Sequence, residues 1–71
     1  MKDDRISKLG FKIKIERMKK KLTQLQLAMK ANVSMETIQK IENGKQNPSV
    51  LILIDIAKAL NVSVDSLCKD I

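Results

Sequence analysis

The side chains best equipped to recognise another molecule lie together in one short stretch, Met35-Glu36-Thr37-Ile38-Gln39-Lys40-Ile41-Glu42. If this stretch is helical, Ile38 and Ile41 face inward at i, i+3, so Met35, Glu36, Thr37 and Lys40 point outward. The outward set combines a thioether, a carboxylate, a hydroxyl and an ammonium group. Against the edges of stacked bases, Lys40 can donate to guanine O6 and N7, Glu36 can accept from cytosine N4, and Met35 can touch a thymine methyl. Each has a plainer reading. Glu36 also complements the positive end of its own helix, Met35 can tuck against the domain, and Lys40 can meet a phosphate or lie free. Gln24, at the start of the preceding helical stretch, points its side chain and nearby amides where a backbone phosphate would lie.

Other chemistry is poorly served. The chain has no histidine and one cysteine, Cys68. Zinc, haem and Ser-His-Asp or Cys-His constellations therefore lack their ligands and bases. There is no glycine-rich phosphate loop either. We expect no catalytic residues, no metal and no cofactor, and the pattern suggests no small-molecule ligand. A lone thiol forms no intramolecular disulfide, so nothing points to an oxidising compartment. Cys68 reads as a small, partly buried apolar residue.

Charge narrows the partner. Fourteen Lys and Arg against eight Asp and Glu give a net charge of +6. Such a surface expects an anionic partner, nucleic acid or an acidic membrane surface, unless it only keeps a small protein in solution. Phe11 is the only aromatic residue, which leaves single-stranded RNA no stacking platform. The longest apolar run, Val50 to Ile54, is too short to span a bilayer, and the opening Met1-Lys2-Asp3-Asp4-Arg5 lacks a leader pattern. A soluble, cytoplasmic protein without membrane contact is expected.

The elements that must position these side chains read as short helices. Two Gly, one Pro and 44% apolar residues suit helices joined by tight turns. A first helix is expected from about Ser7 to Lys20, with Leu9 and Ile13 one turn apart and Phe11, Ile15, Met18 and Leu22 as a neighbouring stripe. Thr23 and Gln26 form a capping box that opens a second helix, in which Leu27 and Ala28 face inward and Asn32 supplies a left-handed stop. Ser34 caps the third helix and Asn43-Gly44 ends it. Pro48 and Ser49 open a fourth, with Val50, Leu53, Ile54, Ala57 and Leu60 as its inner face and Asn61 as its end. Ser63 caps a last turn carrying Val64, Leu67 and Cys68. Small Ala28 and buried Val33 allow the second and third helices to cross closely, which is the sequence form of a helix-turn-helix.

The ordered set Leu22-Thr23-Gln24, Leu27-Ala28, Val33-Ser34, Ile38, Ile41-Glu42-Asn43-Gly44, Asn47-Pro48-Ser49, Ile56-Ala57-Lys58-Ala59-Leu60 and Val62-Ser63-Val64-Asp65 resembles the lambda-repressor/Cro (Xre) family of helix-turn-helix regulators. Asn32 stands where the family usually has Gly, Leu25 where many members carry Glu, and Met35 and Glu36 where polar readers are common. The resemblance implies an all-α, compact five-helix lambda-repressor-like DNA-binding domain. It would occupy residues 1–71 as a single unit, with the helix-turn-helix at about 23–43 and the recognition helix at about 34–43. It also implies that Ser34, Asn43 and Lys45 join Gln24 on phosphates, with Thr37 shared between phosphate and base sets. Arg17 and Glu42 match a family ion pair that holds the third helix to the first, Arg17 on a phosphate being the alternative.

Leu51 breaks the pattern of the fourth helix, because it shares a face with Asp55 and Lys58. Exposed apolar residues that cluster mark interfaces, so Leu51, Ile52, Val64, Leu67 and Ile71 are expected to form a two-fold contact, or else Leu51 is a scattered surface leucine. The function expected is a sequence-specific DNA-binding transcriptional regulator, a repressor, acting as a homodimer on a palindromic operator. An antitoxin or restriction-controller type regulator, or a helical protein-interaction module without specific DNA binding, are the alternatives.

Overall fold

The computed structural model describes residues 3–71. Met1 and Lys2, which begin both the stretch read for a leader pattern and the expected domain, lie outside the described residues. The chain folds as α1 (Asp4–Lys19), α2 (Gln24–Ala31), α3 (Met35–Glu42), α4 (Val50–Leu60) and α5 (Val64–Cys68), with no strand among the described residues.

Every helix opens on a side-chain cap. Asp3 accepts from the Arg5 amide, Thr23 from Gln26, Ser34 from Thr37, Ser49 from Ile52 and Ser63 from Ser66. At Thr23 the capping box is complete, since the Gln26 side chain also takes the Thr23 amide at 2.8 Å. Each such cap satisfies an amide that the helix itself cannot pair, a contribution of about 1 kcal/mol. The helix ends follow the same logic. Asn32 and Asn61 take the left-handed conformation at φ 58° and 57°, and Gly44 at φ 70°.

One boundary differs from expectation, and the far end of the same helix closes in an unusual way. Helix α1 begins at Asp4 instead of Ser7 because Asp3 caps it, its carboxylate also bonded to the Arg5 guanidinium at 2.7 Å. These hydrogen bonds, the side-chain one foremost, hold the Asp3 carboxyl down to about 2. At the other end Lys21 adopts φ 58°, and the Leu22 amide reaches back to the Arg17 carbonyl at 3.1 Å. This is the helix closure that Gly usually makes, here made by a side chain that gains nothing from the left-handed region.

The core is Leu9 and Ile13 of α1, Leu27, Ala28 and Ala31 of α2, Ile38 and Ile41 of α3, Ile56, Ala57 and Leu60 of α4, and Leu67 of α5. Helix α3 packs on α1 and α2, α2 on α4, and α5 lies across α1 and α4. Of the neighbouring stripe expected with the first helix, Leu22, just past α1, packs against this core, but the members on α1 do not. Phe11 is 60% and Met18 55% exposed, because at about 100° per residue both stand on the far side of the helix from Leu9 and Ile13. On α4, Val50 is 73% exposed while Ile56 is fully covered. The inner face centres on Leu53, Ile56 and Leu60, and Val50 is roughly 70° away from it around the helix.

Leu67 is a correction of a different kind. Expected at an interface, it is 1% exposed, because α5 turns this side chain into the junction of α1 and α4. Ile52, Val64 and Ile71 are half-buried against the same core. Leu51, on the opposite side of α4 from Leu60, is 73% exposed.

Candidate nucleic-acid interface

Helix α3 presents one face to the core and the other to solvent. Ile38 and Ile41 have no exposed surface, whereas Met35 is 41% exposed and Glu36 and Lys40 are exposed beside it. Ser34 Oγ accepts the Thr37 amide at 3.1 Å and lies 2.8 Å from the Thr37 hydroxyl. Thr37 is thus half-buried and already engaged at the start of the helix. Lys40 Nζ stands 3.8 Å from Glu36 Oε2 across one turn, both side chains largely in water. Such an exposed i, i+4 pair holds by only about 0.3–0.5 kcal/mol. Both ends are therefore free to exchange each other for a base edge.

What fixes α3 in place is buried. Arg17 Nε is 2.7 Å from Glu42 Oε2, with side chains 11% and 1% exposed, and a second guanidinium nitrogen meets Glu42 Oε1 at 3.0 Å. The remaining guanidinium nitrogen donates to the Leu22 carbonyl at 2.8 Å. Gln24 Nε2 donates to Glu42 Oε1 at 3.0 Å. A carboxylate at a helix C-terminus opposes the dipole, and a buried one must be paired and hydrogen-bonded. Three donors from α1 and α2 meet both needs, and they tie the end of α3 to the two helices beneath it. Gln24 is therefore half-buried and bonded within the protein, with its second side-chain N–H left over for an outside acceptor.

Close packing completes the anchor. Gly10 of α1 is buried, and a Cβ there would strike the Ile41 carbonyl oxygen. Neither the role of Gly10 nor the Gln24 bond to Glu42 is among the expectations from sequence. A glycine inside an apolar-periodic helix is itself the signal of close backbone approach. The Gln24 contact spans 18 positions and has no local signature.

Past α3, Gly44 turns the chain so that the Lys45 amide meets the Lys40 carbonyl at 2.8 Å. Asn43 and Lys45 are exposed there. The outward row Met35, Glu36 and Lys40 is thus flanked by Ser34 and Thr37 at one end and by Asn43 and Lys45 at the other. A helix of this length is about 12 Å long, and the major groove of B-DNA is about 12 Å wide.

A short exposed helix crossing a second one through a tight turn, with its far end locked to the body by a buried ion pair, defines a helix-turn-helix protein. The chain belongs to the Xre-type helix-turn-helix family: the family profile described as Helix-turn-helix matches residues 13–67. It is 42% identical over 59 residues to the immunity repressor protein of Bacillus phage phi105, covering 83% of this chain but 41% of the repressor's length. It is 41% identical over 56 residues to the HTH-type transcriptional regulator MJ0272 of Methanocaldococcus jannaschii, covering 79% of this chain and 85% of that one. Its fold superposes with a TM-score of 0.89 on the restriction-modification controller protein C.AhdI from Aeromonas hydrophila, at 25% identity, covering 92% of this chain and 98% of that one. Among the described residues no helix is long and apolar enough to cross a membrane.

Proposed function

We propose that this chain is a sequence-specific DNA-binding transcriptional regulator that reads the major groove with α3 and acts as a repressor. The observation that carries the reading is the division of α3 into a core side with no exposure and an outward side made of Met35, Glu36 and Lys40. In this reading Lys40 donates to a guanine and Glu36 accepts from a cytosine. Met35 rests on a thymine methyl, and Thr37 reaches the edge of the site. Ser34, Asn43, Lys45 and the helix-start amide and second side-chain N–H of Gln24 set the register on phosphates. Arg17 and Glu42 hold the helix at its angle.

The chain works as a single domain, its helix-turn-helix at about 23–43, and binds a palindromic operator as a homodimer. The two-fold contact is formed around Leu51, with the half-buried Ile52, Val64 and Ile71 at its edge. Two-fold symmetry in the protein matches an inverted repeat with recognition helices about 34 Å apart, one turn of DNA. The likeness to C.AhdI over nearly the whole of both chains favours, as a second reading, a regulator of the restriction-controller kind, with the same DNA chemistry and a different set of genes.

Selection of bound duplexes from a random library, followed by a salt titration, tests the proposal. An inverted repeat with one-turn spacing, and a log–log salt slope of about 0.9 per phosphate contacted, is the expected result. Equal binding to duplexes of every sequence would refute it.

A further inference from the structure

Helix α1 has two apolar faces, and the fold uses one. Leu9 and Ile13 lie in the core. Phe11, Ile15 and Met18, at i, i+4 and i+7, lie along the outside, Phe11 60% and Met18 55% exposed. Next to this stripe α5 runs against α1, leaving a groove of about 320 Å³ lined by Phe11, Lys12, Ile15, Glu16, Ser66 and Leu67. Buried Leu67 is its floor. The lining comes from α1 and α5 alone, so an occupant leaves the outward row of α3 uncovered.

Charge identifies the occupant. Exposed Lys8, Lys14 and Lys19 flank the stripe. Lys12 at the groove donates through Nζ to the Lys69 carbonyl beyond α5, and the groove's own carboxylate, Glu16, is held by Lys19 at 3.1 Å. With Lys19 paired to Glu16 and exposed Asp4 a heptad before Phe11, it is Lys8, Lys12 and Lys14 that leave the rim positive, on a chain of net charge +6. A second copy of the chain would bring lysines against lysines, which costs binding energy. An acidic bilayer would suit the lysines, yet a flat surface leaves the groove between α1 and α5 unfilled. An acidic amphipathic helix meets both conditions. Its apolar residues at i, i+4 and i+7 match the stripe and seat one side chain in the groove, while its carboxylates face the lysine rim.

We propose that the outer face of α1, together with α5, is a docking surface for an acidic amphipathic helix of a partner protein, separate from the DNA-facing side. The probe is a synthetic helix with leucines at i, i+4 and i+7 flanked by glutamates, compared with a scrambled peptide of the same composition and with one carrying lysines for glutamates. Titration into the isotope-labelled chain is expected to move amide signals of α1 and α5 while those of α3 stay in place. Phe11→Ala should weaken the peptide at least about tenfold, as loss of an aromatic anchor does, and Lys8→Glu with Lys14→Glu should weaken it further. Phe11 is exposed, so melting temperature and duplex affinity should stay at parental values, which separates failure here from failure of the DNA reading. The proposal is overturned if the scrambled or lysine peptide binds equally well, or if signals move on α3 or nowhere. Phe11-dependent capture by phosphatidylglycerol vesicles without peptide binding would assign the face to membranes instead, and Phe11-dependent dimerisation would assign it to a second copy.

Discussion

Gly10 of α1 and Ile41 of α3 touch through their backbones, with the Ile41 carbonyl carbon 3.1 Å and the Glu42 Cα 3.2 Å from where a Cβ on Gly10 would stand. The atoms struck are main chain, so no rotamer change relieves the clash, and α3 has to move. Gly10→Ala should therefore cost about 1–3 kcal/mol of overpacking, more than offsetting the better helix propensity of alanine, which is worth about 1 kcal/mol. The melting temperature should fall, and duplex affinity should fall with it because α3 is displaced. A variant melting at or above the parent would show that the helices can separate without cost.

The Arg17–Glu42 pair predicts an asymmetry. Glu42→Ala strands a nearly buried guanidinium and the Gln24 amide, a loss of about 3–5 kcal/mol. Replacing both charges, Arg17→Met with Glu42→Leu, should cost much less, since no buried charge is left alone. Urea unfolding of the single and double variants measures the difference. Equal stability of Glu42→Ala and the parent would mean the pair is decorative.

Lys40 and Lys45 should fail differently on DNA. Lys40→Ala is expected to lose about 1–3 kcal/mol on the selected site and to relax preference at one base pair. Lys45→Ala should weaken all duplexes alike and lower the salt slope by about 0.9. Binding isotherms at several salt concentrations on matched and mismatched duplexes separate the two. Identical behaviour would remove the base-reading role from Lys40.

Leu51 is the exposed apolar residue of α4 on which the proposed two-fold contact depends. Leu51→Glu should turn a dimer into a monomer in sedimentation equilibrium without lowering the monomer's helicity. A parent that sediments as a monomer at every concentration ends the dimer proposal.

The N-terminal cap makes α1 sensitive to acid. The Asp3 carboxyl is held at about 2, below its ordinary 3.8, first by hydrogen bonds from the Arg5 side chain and then by the Arg5 amide. A depressed value in the folded state means the cap's contribution is complete above the ordinary value and is lost as pH falls through about 2. Amide signals of residues 4–7 should therefore loosen as pH is lowered across that interval. In Asp3→Ala they should be loose throughout, with no transition from this site. An unchanged profile in the variant would show that Asp3 does not cap the helix.

Local rules carried far in this chain. Thr23 with Gln26, Ser34, Ser49 and Ser63 at helix starts, and Asn32, Gly44 and Asn61 at helix ends, each act through atoms a few residues away, so the stretches between them were legible as helices. The inward pair Ile38 and Ile41 likewise left only one side of α3 for Met35, Glu36 and Lys40. What tertiary packing alone decided is how each apolar stripe is used. Phe11 and Met18 on the outside, Leu67 within, and Gln24 bonded to Glu42 all depend on which helix lies opposite, and periodicity along one helix carries no information about its neighbour. The same holds for Gly10: its spacing marks a close approach, but only the crossing of α1 and α3 says what comes close.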